Sequence, residues 1–206
     1  MTMTDWRTSL QHFAGLAATT SAEWMLVGSG ASAVHGVELS PGDIDVLART
    51  ANDVTKLAAV LPSLELPSLE LPGQQDLDPQ TFRSSTERPL LTFGGWTFGR
   101  WFLDEGTVEV AHIAGVHRGL TENGGEVWRH RRLVRWRGNL LPIVPLEIQL
   151  ATMLSRQLDD RSQASAECLR HNGYDAALLR LALRDRGIDP ASLPGTVPPD
   201  RSLASW

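Results

Sequence analysis

Three short segments of this chain place residues where they can do chemistry. In Asp43-Ile44-Asp45-Val46, alternate side chains of a strand share a face. Asp43 and Asp45 would project together while Ile44 and Val46 point into a core. Two carboxylates side by side repel one another, and a hard divalent cation with oxygen ligands removes that repulsion. Upstream, Val27-Gly28-Ser29 is separated from Asp43 by thirteen residues. It lies between an apolar run that predicts a strand, Trp24 to Val27, and a small-residue run that predicts a helix, Ser29 to His35. Glycine there lets a phosphate approach the backbone, free N–H groups at a helix start favour an anion, and the Ser29 hydroxyl adds a donor. The third segment, Thr107-Val108-Glu109-Val110-Ala111, carries one acidic residue in an otherwise apolar strand. If that strand lies beside the Asp43 strand, three carboxylates meet. A phosphate cradle with such a set suits nucleoside triphosphate chemistry with Mg²⁺.

The elements around these segments follow from periodicity. Trp6, Leu10, Phe13 and Ala17 recur at helical spacing, with Thr4 or Asp5 as N-cap, and Gly36 stops the Ser29–His35 helix. Ile44 to Leu47 predicts a second strand. Thr50 with Asp53 forms a capping box for a helix that buries Val54, Leu57, Ala58 and Leu61. Leu61 to Leu71 reads LPSLE LPSLE L, a duplication whose prolines predict a surface loop or extended connector. Trp96 to Leu103 and Thr107 to Ile113 read as a hairpin about Asp104-Glu105-Gly106. Asn123-Gly124-Gly125 marks a turn, and Glu126 to Arg137 and Leu140 to Val144 are expected strands. Pro145 stands where a helix N1 proline belongs, and helices are expected from there, near Arg161 to Leu169 and over Tyr174 to Arg184. The expected organisation is α/β (α+β), a mixed sheet flanked by helices over 1–144, a helical region at 145–187 and an extended tail at 188–206.

The hydrophobic-Gly-Ser segment followed by Asp-Ile-Asp-Val resembles the signature of the DNA polymerase β-like nucleotidyltransferase superfamily, and the Glu109 strand resembles its third-carboxylate strand. Within it the chain looks most like small bacterial nucleotidyltransferases, among them lincosamide- and aminoglycoside-modifying enzymes and AbiEii-type toxins. The likeness is carried by Trp24 to Leu47, by Gly106 to Ile113 and, at lower density, by the helix opening Pro145-Leu146-Glu147 and running past Arg156 to Asp160-Arg161. Two departures stand out. Many relatives have a basic residue and a Thr or Ser just before the first Asp, where this chain has Glu38-Leu39-Ser40-Pro41-Gly42. Many toxin-type relatives have a Lys in the first C-terminal helix, where the nearest residue here is Arg156. The resemblance implies a catalytic set of Asp43, Asp45 and Glu109 that also ligates metal, two Mg²⁺ or Mn²⁺ ions, and a nucleotide site at Gly28, Ser29 and Arg156. The implied substrates are an NTP such as ATP and an acceptor that is a small hydroxyl compound or RNA. The alternatives are a non-catalytic nucleotide- or RNA-binding module of the same fold, and a toxin-type enzyme acting on tRNA.

Composition narrows the classes. The chain has 206 residues, a formal charge of −5 and one cysteine, Cys168, so no intramolecular disulfide and no Cys-based zinc cage can form. That suits a reducing cytoplasm. Met1 to Leu10 shows no basic stretch leading into an apolar core, and no apolar run nears the ~18 residues of a membrane span, so neither a secretory signal nor a membrane partner is expected. The acidic balance excludes a basic nucleic-acid coat over the whole chain but not a local patch. Arg129, His130, Arg131, Arg132, Arg135 and Arg137, with Trp128 and Trp136, form the one basic run. In strand register Arg129, Arg131, Arg135 and Arg137 share a face, which is either a phosphate-binding surface for an RNA acceptor or a solvated sheet face. His35, late in its helix, is either a dipole partner or a neighbour of the site. His112 and His117 are expected to be structural or surface residues, and Cys168 a buried small hydrophobe.

Overall fold

The computed structural model describes residues 6–62, 91–93, 95–103, 106–115, 119–120 and 124–194. The Thr4/Asp5 cap, the Pro-containing duplication beyond residue 62, Asp104 and Glu105, His117, Asn123 and the tail after 194 lie outside them. The chain forms two compact units, Met1–Trp24 with Gly42–Gly115, and Met25–Pro41 with Val116–Trp206. Each interleaves separate stretches of sequence, so the division cuts across the linear boundary at 144/145.

The first unit is built on a mixed sheet of β2 (Asp43–Ala48), β3 (Leu91–Phe93), β4 (Trp96–Leu103) and β5 (Gly106–Ile113), in the order β3-β4-β5-β2. β2 and β5 are parallel, and the β4–β5 and β3–β4 pairs are antiparallel. Alternation sets the faces: Ile44, Val46, Val108 and Val110 are buried. Helix α1 (Trp6–Ala17) turns Trp6, Leu10, Phe13, Ala14 and Ala17 inward, and Phe13 meets Trp24 edge-on at 5.0 Å. The buried Ser9 hydroxyl donates to the Leu103 carbonyl at 2.8 Å, so that hydroxyl is satisfied. Helix α3 (Ala51–Ala58) starts at Thr50, whose Oγ1 accepts from the Asp53 amide, the N-cap half of the expected capping box, while the Asp53 carboxylate accepts from the Thr50 hydroxyl.

The second unit holds β1 (Trp24–Val27, from Met25 on), β6 (Arg132–Trp136) and β7 (Asn139–Ile143) in the order β1-β7-β6. β1 and β7 are parallel, β6 and β7 antiparallel. Helices α2 (Gly28–Val34), α5 (Leu146–Ser155), α6 (Asp159–Asn172) and α7 (Ala176–Asp185) complete it, with α2, α6 and α7 packed on α5. Gly173 ends α6 with φ 80°, a left-handed conformation that favours glycine. The chain is thus mixed α/β with helices against its sheet. No helix among the described residues is long and apolar enough to cross a membrane.

Two local expectations are corrected. The segment Glu126 to Arg137 is not one strand: Val127–His130 is a one-turn helix, α4, and β6 begins only at Arg132. Burial of Val127 anchors that turn, so Arg129 is not in strand register with Arg135, and Arg137, at φ 45°, lies in the following turn. The four-arginine strand face does not form. Pro145 is the N-cap of α5 and not its first helical residue; its ψ of 141° is extended, and the helix starts at Leu146.

Candidate functional site

The strand that carries Asp43 and Asp45 is positioned by its own apolar residues. With Ile44 and Val46 in the core, both aspartates must share the opposite, partly open face. The parallel pairing with β5 sets Asp43 beside Thr107 and Asp45 beside Glu109. Register partners in neighbouring strands point to the same side of a sheet, so Glu109 joins the aspartates. One carboxylate oxygen from each of Asp43, Asp45 and Glu109 lies within 4.8 Å of the others. Two ligands of one Mg²⁺ at ~2.1 Å can be at most ~4.2 Å apart, and paired ions stand ~3.5–4 Å apart. The three oxygens are therefore within reach of a pair of ions, or of one ion after a small side-chain rotation. All three are hard oxygen donors, which fits Mg²⁺ or Mn²⁺.

The β4–β5 hairpin adds a residue that sequence reasoning missed. Leu103 pairs with Gly106, and counting out along both strands sets Arg100 opposite Glu109. Arg100 Nε donates to Glu109 Oε1 at 2.6 Å, and a second guanidinium nitrogen contacts the same oxygen. The guanidinium also lies over the Phe98 ring, 5.8 Å from its centroid. Arg100, Glu109 and Asp45 thus form one row across three strands. The signal lies in the register, which the Leu103–Gly106 pair fixes and a turn of Asp104-Glu105-Gly106 would have shifted by one residue.

The Glu109 carboxyl is held above its usual range. Burial is the largest cause, Arg100 pulls the other way through charge and hydrogen bonding, and the Asp43 charge adds to the rise. The site thus favours a proton on Glu109 more than water does, chiefly through burial, with the Asp43 charge adding to it.

The other expected site residues belong to the second unit. Gly28 opens α2 with φ 63°, and Ser29 is half-buried behind it. Arg156 is the exposed C-cap of α5. His35 is a structural residue: its Nε2 donates to the Val144 carbonyl at 2.8 Å, and burial pushes its pKa down. His112 Nδ1 meets the Ala48 carbonyl at 3.3 Å, a backbone contact between adjacent strands. Cys168 is half-exposed and not buried; its Sγ donates to the His35 carbonyl at 3.4 Å. Glu147, part of the motif opening α5, is fully buried. Its Oε1 accepts from Arg132 at 2.8 Å and from the Asp175 amide at 2.8 Å, tying β6, α5 and the start of α7 together. That acid is a structural tie within its unit.

No family model matches the chain, and no curated protein matches it. Among solved structures, one similar chain is described as a "putative nucleotidyltransferase" from Thermotoga maritima. It is 17% identical, with 83% of this chain and 94% of that chain covered and a TM-score of 0.48. A likeness at that level says nothing of chemistry.

Proposed function

We propose that the chain is a metal-dependent nucleotidyltransferase, which moves a nucleoside monophosphate from an NTP to an acceptor hydroxyl and releases pyrophosphate. The observation that carries this reading is the convergence of Asp43, Asp45 and Glu109 on one sheet face, within 4.8 Å of one another. Its support in the sequence is the Gly28-Ser29 segment and the Asp-Ile-Asp-Val strand read together.

Asp43 and Asp45 would hold the divalent ions, with Glu109 ligating the one nearer the acceptor. When bound, such ions stabilise the phosphate charge and lower the pKa of the acceptor hydroxyl. The acceptor oxygen forms a bond to the α-phosphorus, the bond from that phosphorus to the bridging oxygen breaks, and pyrophosphate leaves with the electron pair. The acceptor proton passes to Glu109, whose raised proton affinity suits a general base. Gly28 and Ser29 would hold the terminal phosphates with backbone and hydroxyl donors. Arg156 would neutralise the triphosphate or contact the acceptor. The acceptor is a small hydroxyl compound or RNA, and tRNA would make the chain a toxin-type enzyme.

One observation favours a second reading. Arg100 already neutralises Glu109, and a chain that bound nucleotide or RNA without turnover could keep that pair intact. Incubation with each labelled NTP, Mg²⁺ and a panel of acceptors, including total RNA and hydroxyl-bearing antibiotics, separates the two. A product heavier than the acceptor by one nucleoside monophosphate supports transfer. Nucleotide binding with no product in any arm supports the binding module.

A further inference from the structure

Arg100 is a cation that the structure places on the acidic triad, at Glu109, and its placement is fixed by backbone register and not by chance contact. The Arg100–Glu109 pair is a directly opposed cross-strand pair in the antiparallel β4–β5 hairpin. Both guanidinium contacts fall on a single oxygen, Oε1. The side chains are largely shielded, at 14% exposure for Arg100 and 20% for Glu109, so solvent screening is reduced. Arg100 thus offsets one of the triad's three formal negative charges. Carboxylate sites tune divalent-ion affinity through the number of ligand charges, and a fixed positive charge beside the ligands opposes a second cation.

We propose that Arg100 is the built-in counter-cation of the triad. It holds the three carboxylates together when no metal is bound and keeps their affinity for a lone divalent ion low. An ion is then retained tightly only when triphosphate oxygens add ligands and negative charge, so metal and nucleotide enter together. This rests on the metal-site reading above.

The test measures Mn²⁺ binding by calorimetry, with no nucleotide, on wild type, Arg100→Gln, Arg100→Lys and Asp45→Asn, alongside thermal midpoints in EDTA and in Mn²⁺. Arg100→Gln removes the charge, and its Mn²⁺ affinity is expected to rise about tenfold or more. Arg100→Lys keeps the charge and should stay within about threefold of wild type. In EDTA the Gln variant should melt lower than wild type, and Mn²⁺ should raise its midpoint by more than it raises the wild type's. A merely structural arginine would lower both midpoints alike. Equal or weaker Mn²⁺ binding by Arg100→Gln, with wild type binding normally and Asp45→Asn binding poorly, overturns the counter-cation role and leaves the metal site standing. No Mn²⁺ binding by wild type or Arg100→Gln, or undiminished binding by Asp45→Asn, overturns the metal reading and this inference with it. If Arg100→Gln folds only with Mn²⁺, that supports the proposal. If it folds in neither condition, the Lys variant decides: an affinity within about threefold of wild type supports the role of charge, and a larger change in either direction overturns it.

Discussion

Asp45 and Glu109 stand directly opposite each other in the parallel β2–β5 pair, although 63 residues separate them in the chain. Carboxylates facing each other across a sheet oppose strand pairing, because like charges in register are destabilising. The arrangement persists because Ile44, Val46, Val108 and Val110 bury the other face and fix the register.

Replacing Asp45 or Asp43 by Asn keeps the shape and removes a charge. On the proposed mechanism each variant should bind Mn²⁺ at least about tenfold more weakly and lose roughly 100-fold or more in nucleotidyl transfer, since each aspartate would hold an ion worth several kcal/mol of charge stabilisation. Calorimetry and product mass spectrometry check the two readouts. Wild-type Mn²⁺ affinity in both variants would sink the site.

The raised pKa of Glu109 sets a pH dependence. An acid whose folded pKa lies above its unfolded value contributes stability that is fully present below the unfolded pKa, ~4.3 for Glu, and lost as pH rises through the folded pKa. Glu109→Gln mimics the protonated form. In EDTA, the melting temperature of the variant should therefore gain on wild type as pH climbs through that window. Mn²⁺ affinity of wild type should rise across the same window, because the metal needs the carboxylate. Asp43→Asn should move the midpoint to lower pH, since the Asp43 charge is one cause of the rise.

Arg132→Met leaves Glu147 buried with only the Asp175 amide as donor. Removing one partner of a buried pair leaves an uncompensated charge. Arg132 is 40% exposed, so part of its contribution is already screened. The expected loss is about 2 kcal/mol in urea unfolding. A loss under a few tenths would mean that water takes over the arginine's role.

Thr50→Ala removes both halves of the α3 cap contact and should cost about 1 kcal/mol. A Ser at that position should restore most of it. Chemical denaturation of the two variants provides the check.

Arg131→Glu and Arg135→Glu test the basic segment as an RNA surface. Arg131 lies near the Trp128 ring and Arg137 over Trp136, while Arg129 and Arg132 are paired with Glu126 and Glu147. If the acceptor is RNA, wild-type binding should fall steeply with salt, and the double variant should bind more weakly with a shallower slope. Equal binding by the two proteins at low and high salt removes the RNA reading and leaves a small hydroxyl acceptor.

What could be read from the sequence follows where periodicity was strong. β1 and α3 fall where apolar spacing and turn residues set them, and the two aspartates share a face because strand alternation leaves no other arrangement. The one-turn helix Val127–His130 was not legible. Four residues carry no helical period, and the Val and Trp residues there favour strands by propensity. Arg100 was hidden for another reason. It is one of many arginines, and only the hairpin register distinguishes it. Cys168 was misplaced because small thiols are usually buried, and α6 sets this one at a half-open position beside His35.

The direct β2–β5 pairing also bears on which parts of this gene can change length. Residues 59–90 run between the end of α3 and the start of β3, and the register partners that Asp43, Asp45 and Glu109 have among the described residues, Thr107, Asp45, Glu109 and Arg100, lie outside them. Closing a longer span costs little, about 0.6 kcal/mol for each doubling. Counted in chain entropy alone, one LPSLE copy more or less changes closure by far less than the stability of an ordinary domain. On that ground homologues should differ in length at the duplication before they differ between Trp96 and Ile113, where Arg100 and Glu109 are held in register.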